Sequence, residues 1–143
     1  MRLFLFKECS VRLPRAKLRR LCEHIVAGER FGRSRSEIHL VFVPESKMRR
    51  LNRRYRGIDR TTDVLSFNLD PAKDPDGVFG EVYISPTVAA RQALRHAVPV
   101  TCEISRLFCH GLLHLLGYDH AGEAEGSVMK TREDHYLKRL CRK

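Results

Sequence analysis

The sequence has no apolar run approaching the roughly 20 residues that a membrane-spanning helix requires, and its opening, Met1 to Lys7, is too short for a signal-peptide core. Those absences argue against a membrane partner and make the cytoplasm the expected location. No two of the five cysteines, Cys9, Cys22, Cys102, Cys109 and Cys141, stand in C-x-x-C spacing, and their number is odd. A disulfide framework is therefore not expected, which suits a reducing compartment. The chain is also short of acid: 27 Lys and Arg face 17 Asp and Glu, a net charge of +10. The imbalance is uneven, with 17 basic and 6 acidic residues in positions 1–60, a net of +11, against 10 and 11 in positions 61–143. Such an excess points to a polyanionic partner, because each neutralised phosphate releases condensed counterions and strengthens binding.

What the sequence does have fits one domain, since 143 residues with 43% hydrophobic content can bury a real core. Residues 2–8 suit a first strand, and Leu18, Leu21, Cys22, Ile25 and Val26 give helical spacing from Pro14 to about Ala27. Residues 38–43 alternate as a strand, in which His39 is a surface residue rather than a ligand. From Glu45 to Arg56, Met48, Leu51 and Tyr55 form an apolar stripe, with Arg49, Arg50, Arg53 and Arg54 largely off it and Gly57 as terminator. That arginine cluster is a candidate phosphate-contact surface, because guanidinium forks match phosphate oxygens bidentately. Residues 61–67 and 80–84 read as strands. Ser85-Pro86 opens a helix reaching about Ala97, with Val88, Ala89, Ala93, Leu94 and Ala97 inward. A helix apolar most of the way round runs from about Val100 to Leu116, and Met129, Leu137 and Leu140 mark a last amphipathic helix. Helices packed on a small sheet, α/β or α+β, are the expected architecture.

The chemistry concentrates in residues 110–120, HGLLHLLGYDH. His110 and His114 lie four residues apart, on nearly one face of a helix and about 6 Å apart along its axis, so two imidazoles can grip one ion. Gly117 falls where helices end in a left-handed residue, and the returning chain brings His120 as a third ligand. Three neutral imidazoles with a fourth position open to water is the set expected of catalytic zinc; a structural site normally takes four protein ligands. His24, His96 and His135 show no such spacing. Glu103, seven residues before His110, is either an acceptor for an imidazole N–H or an exposed salt-bridge partner, the latter being favoured. Cys109 reads as packing. The spacing is that of the metzincin proteases, which place a glutamate general base directly after the first histidine. Gly111 stands there instead, and glycine cannot take a proton from water.

Read in full, HGLLHLLGYDH closely resembles the signature of the YbeY family of bacterial zinc-dependent endoribonucleases of rRNA maturation. Residues 51–57 (LNRRYRG), 62–67 (TDVLSF) and 80–85 (GEVYIS) resemble further stretches of that family in the same order, so the resemblance covers about residues 38–120. It implies an α+β fold, a small, mostly four-stranded mixed sheet with about five helices, in a single domain over residues 1–143. It also implies one zinc ion on His110, His114 and His120, a functional Arg56, and single-strand-specific cleavage in rRNA processing, including 3′-end maturation of small-subunit 16S rRNA and ribosome quality control. Partners so implied are an rRNA precursor, the small ribosomal subunit, and a ribosomal protein or GTPase. The chain departs from the family pattern at Asn68, where proline is usual, and at Glu81, where aspartate is common. Zinc lowers the pKa of bound water to about 7 without a dedicated glutamate, and an arginine beside the ion offsets charge on a phosphodiester transition state. Asp119 and Glu81 are further candidate proton carriers. Two other functions compete: a metal-dependent hydrolase of another substrate, such as a degenerate metzincin-like peptidase, and a non-catalytic RNA-binding factor of ribosome assembly.

Overall fold

The computed structural model describes residues 1–32, 36–69, 77–119 and 122–141. Four strands, β1 (Arg2–Lys7), β2 (Glu37–Phe42), β3 (Val64–Asn68) and β4 (Val78–Ile84), form one sheet in the order β1-β2-β4-β3. β1, β2 and β4 run parallel, while β3 is antiparallel to β4 and forms the edge. Five helices among the described residues accompany them: α1 (Arg15–Gly28), α2 (Glu45–Arg56), α3 (Pro86–His96), α4 (Val100–Leu115) and α5 (Glu123–Leu137). The fold is α+β with a four-stranded mixed sheet, as expected.

The period-2 alternation of the strands divides their side chains between two cores. Ile38, Leu40 and Phe42 of β2, with Val82 and Ile84 of β4, enter the larger core beneath α1 and α4. Val41, Val43, Met48 and Leu65 make a smaller one under α2. α4 is the organising helix. It packs against α1, α3, α5, β3 and β4, and Ile104, Leu107, Phe108, Cys109, Leu112, Leu113 and Leu115 are all buried along it. Burial pushes the Cys109 thiol well above its usual range, so Cys109 is an inert packing residue.

Several local readings need correction. On α2, Asn52 rather than Tyr55 completes the buried face with Met48; its Nδ2 donates to the Arg60 carbonyl at 2.9 Å, which makes a polar residue acceptable there. Tyr55 is exposed. The strand expected from Thr61 starts only at Val64, because the Asp63 carboxylate accepts from the Val64 N–H (2.8 Å) and the Gln92 amide (3.1 Å), a local alternative to the ladder. α3 begins as expected, with the Ser85 hydroxyl accepting from the Val88 N–H, but Leu94 is 84% exposed and Ala97 is a left-handed cap (φ 55°) instead of an inward residue. On α5 the buried residues are Met129, Glu133 and Tyr136, with Leu137 and Leu140 only partly buried. A buried glutamate on that face breaks the apolar pattern.

Candidate active site

The two histidines that can hold an ion stand on the last turns of α4, with ring centroids 5.5 Å apart and planes at 82°. Behind them lies a residue that the sequence did not single out. The Glu133 carboxylate of α5, only 5% exposed, meets Nδ1 of His110. A carboxylate on that nitrogen fixes the tautomer with its proton at Nδ1 and leaves the Nε2 lone pair for a metal. Glu103 does not do this; it is buried, and it pairs with Arg106 at 2.5 Å, so the salt-bridge reading holds but not its exposure. α4 ends at Leu115, and Gly117 takes φ 112°, where a Cβ would be strained. His120 lies outside the described residues. Among those that are described, no group of three His, Cys, Asp or Glu is arranged to hold an ion. The pair His110 and His114, with Glu133 behind His110, nevertheless has the donor chemistry of a nitrogen-ligated divalent cation.

The histidines open into a cleft of about 540 Å³ whose polar lining includes Asn52, Arg56, Asp63, Ser66 and Asn68. Arg56, at the end of α2, thus shares one cavity with His110 and His114. Its Nη2 donates to the Ser66 carbonyl at 3.2 Å, and the Ser66 hydroxyl donates to the Gly111 carbonyl at 3.1 Å. Ser66 therefore registers the arginine against α4. Gly111 is explained by the same packing: a Cβ would come within 2.7 Å of Val82 Cγ1 and 2.9 Å of Ser66 Oγ. The position where a metzincin carries its base is pressed against the sheet. Glu81 is in register with His39 and Phe67 and donates nothing to the cleft; its carboxylate accepts from Tyr83 Oη on the opposite face of the sheet. It is not placed to carry a proton at this site. Asp119 is exposed and lines a separate hollow with Tyr118 and Val128.

A second group braces the loop that leads to His120. Glu29, the cap residue of α1, accepts from Tyr118 Oη at 2.6 Å, from the Arg132 Nε at 3.1 Å, and from Tyr136 Oη. Burial acts to raise the Glu29 carboxyl, but the bonds from Tyr118, Tyr136 and Arg132 outweigh it and hold the group below its ordinary range. α5 thus supports the site twice, through Glu133 and through Arg132 and Tyr136.

The four arginines of α2 separate. Arg49, Arg50 and Arg53 line a hollow of about 920 Å³ with Ser46, Asp59, Arg60 and Thr61. Arg49 is engaged there by Asp59 at 3.0 Å, and hydrogen bonding from Arg49 holds the Asp59 carboxyl down. Arg60 joins the group from the loop after Gly57, a position that helical spacing alone does not bring to mind. Arg54 faces elsewhere, its guanidinium 5.4 Å from the Tyr55 ring centre.

Comparisons with known proteins bear on the family and the fold. Residues 6–141 match the family model described as Endoribonuclease YbeY. The chain is 40% identical over 128 residues to the Endoribonuclease YbeY of Pelotomaculum thermopropionicum, covering 86% of this chain and 84% of that protein. It is 40% identical over 111 residues to the one from Desulforamulus reducens, covering 73% and 72%. A solution structure of a Thermotoga maritima protein superposes with a TM-score of 0.66 at 27% identity, covering 95% of this chain and 87% of that one.

Proposed function

Because the chain belongs to the YbeY endoribonuclease family, we propose that it is a zinc-dependent endoribonuclease that cuts single-stranded rRNA precursors, including the 3′ end of small-subunit rRNA. The observation that carries this reading is the shared cleft: His110 and His114, with Glu133 behind the first, face the same cavity as Arg56. His110, His114 and His120 would hold the ion, which supplies a Lewis acid and a lowered pKa for water in the cleft. Arg56, held by the Ser66 carbonyl, offsets the negative charge that gathers on the phosphoryl oxygens as the bond breaks. Glu133 keeps the His110 ring oriented throughout. Arg49, Arg50 and Arg53 form a phosphate track on the far side of residues 57–63, with Arg60 added to it. Arg54 contributes from another direction. The setting is the cytoplasm, where the small ribosomal subunit and a ribosomal protein or GTPase are the expected company. The peptidase reading is disfavoured by Gly111, which has neither a base nor room for one.

The test joins elemental analysis of the purified protein with cleavage of an rRNA precursor by wild type, Arg56→Ala and His114→Ala. One bound zinc, loss of cleavage on chelation with recovery on adding zinc back, and inactivity of both folded variants are the expected results. Undiminished cleavage by a folded, metal-free His114→Ala protein would take the metal out of the reaction, and a wild type that binds the precursor without cutting it would leave only an RNA-binding factor.

A further inference from the structure

The sheet has a face that neither core covers completely. In register across it stand Phe4 of β1, His39 of β2, Glu81 of β4 and Phe67 of β3. Residues in register on neighbouring strands point the same way, and this row points away from α4, which packs on the other side through Gly80, Val82 and Ser66. α2 covers only the next row at its β3 end, where Leu65 and Val41 are buried. The result is two aromatic groups on one face, Phe4, Phe6 and His39 at the β1 end and Tyr55, Phe67 and Tyr83 at the β3 end. Phe4 and Phe6 lie 5.8 and 5.0 Å from the His39 ring, Tyr55 lies 5.2 Å from Phe67, and Phe67 lies 5.7 Å from Tyr83. Phe4, Phe6 and Tyr55 are 37%, 44% and 56% exposed. A cation sits at each end: Arg2 is 5.7 Å from the Phe4 ring centre and Arg54 is 5.4 Å from that of Tyr55.

From this arrangement we infer that the open sheet face is a stacking platform for single-stranded RNA, an extension of the substrate site that rests on the endoribonuclease reading. Three features select that occupant. The exposed rings, Phe4 and Phe6 on β1 and Tyr55 on α2, offer π-faces to unstacked bases, which a duplex does not present. The exposed rings Phe4, Phe6 and Tyr55 and both flanking arginines all come from positions 1–60, the part of the chain with a net charge of +11, which a polyanion favours. Three carboxylates that the described residues bring to the face are already engaged, Glu37 by Arg2 (3.1 Å) and His39 (3.0 Å), Glu81 by Tyr83 Oη (3.1 Å), and Glu8 by Lys47 (2.5 Å). The platform also connects to the cleft. Arg56 and Ser66 line the cleft, while their chain neighbours Tyr55 and Phe67 stack on the sheet face. An RNA strand leaving the cleft around the β3 edge meets Tyr55 and Phe67 first. The remaining three strand spacings, about 14 Å in all, suit the two or three bases that comparable sheets stack.

The test measures binding of a fluorescent uridine 12-mer and of a duplex RNA to wild type, Tyr55→Ala and the double variant Phe4→Thr/Phe6→Thr, at fixed salt and with circular dichroism as the check on folding. Cleavage of a four-nucleotide RNA, too short to run from the cleft across the sheet to Phe4 and Phe6, is followed in parallel. Each set of rings lost is expected to weaken single-strand binding about tenfold, with duplex binding and four-nucleotide cleavage unchanged. Ultraviolet cross-linking of wild type to the 12-mer gives a second readout that needs no variant, with adducts expected in residues 2–7 and at Tyr55. Folded variants that bind the 12-mer like wild type, or adducts confined to the Arg49–Arg53–Arg60 hollow, overturn the platform and leave the nuclease reading intact. Variants that keep RNA affinity but lose a co-purifying protein also overturn it, by making the face a protein-docking surface. A wild type that neither binds nor cuts single-stranded RNA overturns both.

Discussion

A carboxylate behind a ligating imidazole tightens a metal site by fixing the ring and raising its basicity. Glu133 meets Nδ1 of His110 and would orient that ring toward an ion held in the cleft. Glu133→Ala is therefore expected to weaken zinc binding by about 10- to 100-fold, and Glu133→Gln by less, because the amide oxygen still accepts the Nδ1 proton. Competition against a chelating dye measures both, and wild-type affinity in the alanine variant would remove Glu133 from the site. Gly111→Ala tests a different claim. Its Cβ would press on Val82 at 2.7 Å, and overpacking of this kind costs about 1–3 kcal/mol. A lowered denaturation midpoint with unchanged zinc stoichiometry is expected; unchanged stability would show that the sheet gives way freely. The histidine pair was legible because both residues obey one helix's period. Glu133 was not, since it lies 23 residues from His110 and only the packing of α4 on α5 joins them.

At the scale of elements, the legible ones carry their own signals. Ser85-Pro86 opens α3 and Gly57 closes α2 in a left-handed conformation, both as expected from capping chemistry alone. Where tertiary hydrogen bonds set the burial, the pattern misled: Asn52 is buried because Arg60 supplies a carbonyl, and α5 hides Glu133 because His110 meets it. α5 also carries a pH dependence. The Glu29 carboxyl, held down by Tyr118, Tyr136 and Arg132 against the pull of burial, has a lower pKa folded than unfolded. Its stabilising share is thus complete above the unfolded value of about 4.3 and is lost as pH falls through the folded value. Glu29→Gln is expected to lower the melting temperature at pH 7 and to narrow the gap from wild type as the pH falls through the folded value. Melting curves displaced equally at every pH would mean that the carboxylate charge does not hold α5 in place.

At the scale of the whole molecule, the excess of positive charge has to act through particular places, and the fold decides which. Residues 1–60 carry a net +11, but Arg2 is paired with Glu37, Lys47 with Glu8, and Arg49 with Asp59, so a count of cations overstates what RNA can meet. The hollow beside α2 gathers Arg49, Arg50, Arg53 and Arg60, and Arg56 stands in the adjoining cleft. Arg49 already serves Asp59, which leaves four guanidinium groups for phosphate. Four contacts give a slope of about −0.7 per contact in log affinity against log salt for a single strand, a loss of roughly 50-fold between 50 and 200 mM salt. Arg53→Ala is expected to weaken binding of every single-stranded sequence alike and to flatten that slope by close to one contact's share, because a phosphate contact positions the strand without reading it. Tyr55→Ala is expected to weaken binding while leaving the slope as it is, since a lost stack releases no counterions. Titrations of both variants at four salt concentrations separate the two effects, and an unchanged slope in Arg53→Ala would take the hollow out of the RNA path.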